Sequence, residues 1–108
     1  MKYLVFGSEG PGFASSEEAV HLLEKLVLPS FDVLMKLEEQ NKILAGGLPV
    51  GDRAFVFIVE AESNEELDRM LLDIPLWGLL EWEVTPLQSF AGRASKDREV
   101  MQAFKKKK

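Results

Sequence analysis

Residues 54–87 decide the fold and read AFVFIVEAESNEELDRMLLDIPLWGLLEWEVTPL. The β-branched and aromatic residues at the start predict a strand over 53–60. Ser63 with a glutamate three residues later is the signature of a helix start, in which the carboxylate reaches back to the cap N–H. The helix is predicted over 64–73, before Pro75. A second strand follows over 80–85, where Pro86 marks a strand end or an edge position.

The same pattern occurs earlier in the chain. A strand over 2–6 and a glycine-rich turn over 7–12 precede Ser15 and Glu18, which repeat the helix-start signature. A helix is predicted over 16–41 and a short strand over 43–48, whose adjacent glycines indicate a bulge or a close backbone contact. Two strand–helix–strand halves predict an α+β, ferredoxin-like βαββαβ domain. The whole chain, 1–108, is expected to be one domain with its core in about 1–87.

The predicted first helix has an apolar stripe with a 3.6-residue period. Pro29 interrupts the helix, so we expect a kink there, with the stripe in phase on both sides. His21 falls opposite the stripe, which predicts a solvent-facing side chain rather than a catalytic one. The stripe consists of Val20, Leu23, Val27, Phe31, Leu34 and Leu37.

The predicted strands are apolar on both faces. In the strand over 53–60, Phe55, Phe57 and Val59 alternate with Ala54, Val56 and Ile58. A ferredoxin-like unit places its helices on one face only, so the other face needs a cover. We therefore predict a homodimer whose two sheets face each other in a dimeric α/β barrel. In the alternative, a C-terminal helix within 88–108, capped by Ser95, folds over the open face of its own chain.

Composition narrows the function classes. The net charge is −5 and no basic stripe crosses the sheet, which argues against nucleic acid as a partner. No apolar run reaches the length of about 18 residues that a membrane span needs. The chain has no cysteine, which excludes disulfides and thiolate chemistry and fits a cytoplasmic location. The lysines over 105–108 fit a solvated helix end that complements the helix dipole.

The segment 73–84, DIPLWGLLEWEV, resembles the C-terminal signature of the muconolactone delta-isomerase family. The matching positions are Pro75, Leu76, Trp77, Glu81, Glu83 and Val84. The resemblance implies the dimeric α/β barrel fold and a small-molecule isomerase. The family pattern continues with an Arg-His pair, whereas this chain has Leu87-Gln88-Ser89-Phe90 at that point.

Glu81 and Glu83 are the candidate catalytic pair because a spacing of two puts both on one face of a strand. Two close carboxylates in a partly apolar cavity favour retention of a proton by one of them, which suits proton transfer beside a carbonyl. Glu83 is the predicted proton acceptor, with an apolar wall from Phe55 or Phe57. If that face is wet, both glutamates are simply solvated.

Other residues could complete a ligand site. Arg53 could hold an anionic ligand, and Tyr3 and Trp77 could line the pocket, although such aromatics also serve as core. With one histidine and no cysteine, no metal site is predicted, and the proposed chemistry needs no cofactor.

Two functions remain open from the sequence. One is a cofactor-free isomerase acting by proton transfer on a lactone or an anionic metabolite. The other is a non-catalytic dimeric barrel that binds a ligand or serves in assembly. The side chains of Glu81 and Glu83 discriminate between them, since a closed cavity favours the enzyme and bulk water favours the second function.

Overall fold

The computed structural model describes residues 1–10 and 12–107. The elements in chain order are β1 (Lys2–Glu9), α1 (Ser16–Leu22), a π-helical turn (Leu23–Val27), α2 (Leu28–Glu39), β2 (Ile43–Gly47), β3 (Ala54–Glu60), α3 (Asn64–Leu72), a 3₁₀ turn (Trp77–Leu79), β4 (Leu80–Leu87) and α4 (Phe90–Lys106). The strands form one antiparallel sheet in the order β2-β3-β1-β4. This order confirms the predicted ferredoxin-like fold.

The N-termini of α1 and α3 are capped in the same way. The Ser63 hydroxyl accepts a hydrogen bond from the Glu66 N–H at 3.1 Å, as expected for a capping box. The Glu66 carboxylate accepts from the N–H of Glu62, one residue before the cap, rather than from the cap itself. Ser15 and Glu18 repeat both bonds, with Ala14 as the donor to the carboxylate.

The core lies between the sheet and the helices α2 and α3. Tyr3 and Val5 of β1 are buried there beside Phe55, Phe57 and Val59 of β3. The register places these side chains in facing pairs, Tyr3 with Val59 and Val5 with Phe57. These side chains therefore lie on the helix-covered face of the sheet. The residues that alternate with them along each strand point to the other face.

The predicted turn at Gly7 is wrong, because β1 continues to Glu9 and includes it. Gly7 pairs with Trp82 of β4, and a Cβ on Gly7 would lie 2.8 Å from the indole ring. The ring thus occupies the space that a side chain would need. Glycine is used here for close packing within a strand, not for a turn.

The first helical segment is continuous from Ser16 to Glu39 but changes geometry over Leu23–Val27. A π-helical turn adds a residue to the helical repeat, so the apolar stripe shifts at that point. Val20 and Leu23, predicted to lie on the buried stripe, are 63% and 38% exposed, which corrects that part of the prediction. His21 is exposed, as predicted.

Ser30 links α2 by hydrogen bonds to the segment that follows α3. Its side chain is fully buried, donates to the Leu26 carbonyl at 2.7 Å and accepts from the Leu76 N–H at 3.0 Å. The hydroxyl therefore satisfies a backbone donor 46 residues away in the chain.

The C-terminal helix begins earlier than predicted. Ser89, not Ser95, is the cap, and its hydroxyl accepts from the Gly92 N–H at 2.9 Å. α4 projects from the end of β4 and does not cover the sheet of its own chain; its side chains are exposed apart from the partly buried Ala94. The molecule extends over 70 × 28 × 22 Å. Its radius of gyration is 18.8 Å, whereas a compact chain of this length is expected to have a radius of gyration of ~13 Å.

Candidate functional site

The sheet face opposite the helices carries the candidate catalytic pair. The strand register identifies the side chains on this face, which form three rows across the sheet. We call this surface the open face; its rows are Thr85–Leu4–Ile58, Glu83–Phe6–Val56 and Glu81–Ser8–Ala54. Five apolar side chains and two carboxylates therefore share one surface.

Both glutamates are exposed in the single chain. Glu83 lies directly opposite Phe6, which is half-buried, and Glu81 lies opposite Ser8. Within residues 1–10 and 12–107, neither carboxylate takes part in an ion pair. The carboxylates thus meet water on one side and an apolar strand on the other.

The expected wall of Phe55 or Phe57 beside Glu83 is wrong. Both phenylalanines belong to the helix-covered face and are about 95% buried. Phe55 packs edge to face on Phe31 of α2, with ring centroids 5.5 Å apart. Phe6 and Val56, which the sequence reasoning did not assign to the site, are the apolar neighbours of Glu83 in its row.

Phe55 and Phe57 line a different space. A cavity of about 150 Å³ opens between α2 and the β2–β3 pair, bordered by both rings and by Met35 and Gly46. It lies on the opposite side of the sheet from Glu83. A ligand held by these phenylalanines would therefore not reach the glutamates.

Arg53 lies at the same end of the sheet as Glu81. The row Glu81–Ser8–Ala54 ends one residue from Arg53. Its guanidinium donates from Nη2 to the Gly10 carbonyl at 2.9 Å. The side chain borders a cleft of about 220 Å³ together with Glu9, whose N–H donates to the Arg53 carbonyl at 3.0 Å.

Tyr3 and Trp77 do not join this cluster. Tyr3 is 2% exposed in the core, and its hydroxyl donates to Oδ1 of Asn64 at 2.5 Å. Trp77 is 42% exposed in the turn before β4, where its carbonyl accepts from Nε1 of Trp82 at 3.1 Å. The structure therefore brings together the two glutamates at the open face. It separates them from the aromatics and from the side chain of Arg53, which borders the helix-covered side together with Val27 and Phe55.

Two further observations bear on the class of protein. In the part of the chain that the structure describes, no three histidine, cysteine or carboxylate side chains are grouped so as to hold a metal ion. No helix among the described residues is long and apolar enough to cross a membrane.

The fold has known relatives among solved structures. The crystal structure of muconolactone isomerase at 3.3 Å resolution superimposes with a TM-score of 0.68 at 19% identity, covering 82% of this chain and 90% of that one. The 5-chloro-2-hydroxyhydroquinone dehydrochlorinase from Burkholderia phenoliruptrix AC1100, in complex with 2,5-dihydroxybenzoquinone, gives 0.64 at 20% identity, covering 85% and 98%. No curated protein sequence matches the chain.

The fold and the open face define a ferredoxin-like α+β protein with two carboxylates on an uncovered sheet. Residues 19–92 match the sequence profile of the family described as Muconolactone delta-isomerase. The match extends over most of the chain and includes both glutamates. The chain therefore belongs to the muconolactone delta-isomerase family, as its segment 73–84 indicated.

Proposed function

We propose that this chain is a small-molecule protein that catalyses cofactor-free isomerisation by proton transfer on a lactone or an anionic metabolite. The site is the open face, enclosed when the sheets of two copies face each other. Glu83 is the proton acceptor and Glu81 is its charged neighbour. Membership in the isomerase family supports the reaction class.

The observation that carries the proposal is the row Glu83–Phe6–Val56. A carboxylate beside an aromatic and a β-branched side chain would lose water once a second sheet covers the face. Desolvation makes a carboxylate a stronger base toward a carbon acid, and its neighbour at Glu81 acts in the same direction. Both effects require the cover, since each glutamate is exposed in the single chain.

The proton balance of the reaction needs no other reactant. The carboxylate removes a proton from the carbon beside the ligand carbonyl, and the electron pair moves onto the carbonyl oxygen. The same carboxyl group then returns the proton to another carbon, which shifts the double bond. Arg53 borders a cleft on the helix-covered side of the sheet with Val27 and Leu76, so the proton transfer is proposed for the glutamates alone.

A second function is favoured by one observation. Glu81 and Glu83 are both exposed, which is the arrangement expected if the chain is a non-catalytic barrel for ligand binding or assembly. In that case the apolar cavity between α2 and the β2–β3 pair would be the ligand site, and the glutamates would be solvated charges.

Solvent-deuterium exchange separates these functions. The full-length protein is incubated in heavy water with unsaturated γ-lactones bearing a carboxylate, muconolactone included, and with 2,5-dihydroxybenzoquinone, the compound in the related dehydrochlorinase structure. Deuterium incorporation beside the carbonyl is followed by NMR. We expect Glu83→Gln to lower the exchange rate about 10²–10⁴-fold, as for loss of a general base.

The control is Glu39→Gln, an exposed glutamate at the end of α2, which should exchange at the parent rate. Glu81→Gln should lower the rate less than Glu83→Gln, because it is the neighbour and not the acceptor. If the parent protein binds a compound without exchange, or if Glu83→Gln exchanges at the parent rate, the isomerase proposal is wrong. Binding without exchange would support the non-catalytic function.

A further inference from the structure

Among residues 1–10 and 12–107, the C-terminal helix α4 makes almost no contact with the rest of the chain. Along its 17 residues the apolar side chains of Phe90, Val100, Met101 and Phe104 are 97%, 52%, 45% and 63% exposed. In proteins, most helical stability comes from packing an apolar face rather than from intrinsic propensity. A surface that covers part of α4 is therefore expected.

Charge is divided unequally between this helix and the rest of the chain. Residues 90–108 carry seven basic and two acidic side chains, a net charge of +5. Residues 1–89, which we call the acidic body, carry six basic and sixteen acidic side chains, a net charge of −10. Surfaces of opposite sign attract over roughly the 10 Å Debye length at 0.1 M salt.

The geometry keeps α4 away from its own body. Only Gln88 and Ser89 connect β4 to the helix. Ser89 is held as the cap, since its hydroxyl accepts from Gly92 and its carbonyl accepts from the Arg93 N–H at 3.1 Å. In this structure the short connection directs α4 away from the sheet of its own chain. The complementary surface present in equal amount is the acidic body of another copy.

We propose that α4 is an assembly arm that docks on the acidic body of a second copy of this chain. The arm lies almost entirely beyond residues 19–92, the part that matches the family profile. It is thus an interface that this chain adds to the family fold. The contact does not require that the two open faces meet, so it stands or falls separately from the isomerase proposal.

Crosslinking from α4 tests the arm directly. The chain has no cysteine, so Ala103→Cys, at an exposed position of α4, provides a unique thiol for a benzophenone maleimide. Light and heavy-isotope chains are mixed in denaturant, refolded together and irradiated, and the crosslinked peptides are sequenced by mass spectrometry. We expect mixed-isotope crosslinks from residue 103 to peptides within 1–89. Val50→Cys, at a fully exposed loop position, carries the same probe as the control.

Charge dependence is tested with matched triple variants. Lys96→Gln, Arg98→Gln and Lys105→Gln together should lower the yield of inter-copy crosslinks about fivefold, and high salt should do the same. Lys25→Gln, Lys36→Gln and Arg69→Gln remove as many basic charges from the body and should not lower it. Circular dichroism checks that helix content is retained in both triples.

Several outcomes would overturn the proposal. These are crosslinks only within one chain, only between two α4 helices, or none between copies. An inter-copy yield that is unchanged in the α4 triple and at high salt would also contradict it. Binding through α4 to vesicles of equal parts phosphatidylserine and phosphatidylcholine, without inter-copy crosslinks, would assign the helix to a membrane surface instead.

Discussion

At the scale of the residue, Gly46 and Gly47 are adjacent in β2, but only one of them lacks room for a side chain. A Cβ on Gly46 would lie 2.5 Å from the Val56 carbonyl oxygen and 2.6 Å from the Phe57 Cβ, whereas a Cβ on Gly47 meets nothing within 4 Å. We expect Gly46→Ala to lower the free energy of unfolding by about 1–3 kcal/mol, because backbone atoms would have to move. Gly47→Ala is the matched control. Equal stability of the two variants in chemical denaturation would contradict this account of β2.

Ser30 offers a second test at this scale. Ser30→Ala removes the acceptor of the buried Leu76 N–H, and an unsatisfied buried donor costs about 1–3 kcal/mol. We expect that loss of unfolding free energy in urea. Ser95→Ala, at an exposed position in α4, should change it by less than ~0.5 kcal/mol. A Ser30→Ala protein as stable as the parent would show that another group satisfies Leu76.

Alternation in β3 predicted which side chains share a face, and the register confirms those sets. It could not say which face lies under the helices, because both sets are apolar. The prediction that Phe55 or Phe57 forms an apolar wall beside Glu83 was wrong for that reason. Gly7 shows a related limit, since only the tertiary contact with Trp82 explains a glycine inside a strand.

At the scale of the element, capping signatures located two helix starts to the residue. The N-terminus of the C-terminal helix lies several residues before the predicted position. Ser89 and Ser95 are equally good N-caps on local chemistry, and the structure uses the earlier one. The π-helical turn was missed because no side-chain pattern marks an added residue in a helical repeat. Pro86 was assigned to an edge or a strand end, and β4 is an edge strand that runs through it to Leu87.

Pro29 lies in the first turn of α2, directly after the π-helical turn. Proline suits a first helical turn, and it restricts the unfolded chain. We therefore expect Pro29→Ala to lower the free energy of unfolding by about 0.4–1 kcal/mol, or ~2–6 °C in melting temperature. A clear rise in melting temperature would show that the proline is only tolerated, with helix propensity dominant.

At the scale of the whole molecule, the apolar open face is the feature on which the predicted homodimer depends. A lysine at Ile58, in the row Thr85–Leu4–Ile58, would place a charge in the predicted sheet–sheet interface, where burial without a partner is costly. We expect Ile58→Lys to reduce the assembly to single chains in high salt, where the α4 contact is screened. Val50→Lys, the same change at an exposed loop, should leave the assembly intact. An Ile58→Lys protein that keeps the parent mass would place the interface elsewhere.

The mass of the full-length protein in solution tests the central claim most directly, because the enclosed glutamate site and the α4 arm both require a second copy. Multi-angle light scattering at micromolar concentration and moderate salt measures it. The account predicts a mass at least twice the 12.2 kDa of one chain, retained on dilution until denaturing conditions are reached. A mass of 12.2 kDa under those conditions would contradict it, and the open face would then be a solvated surface of a single chain.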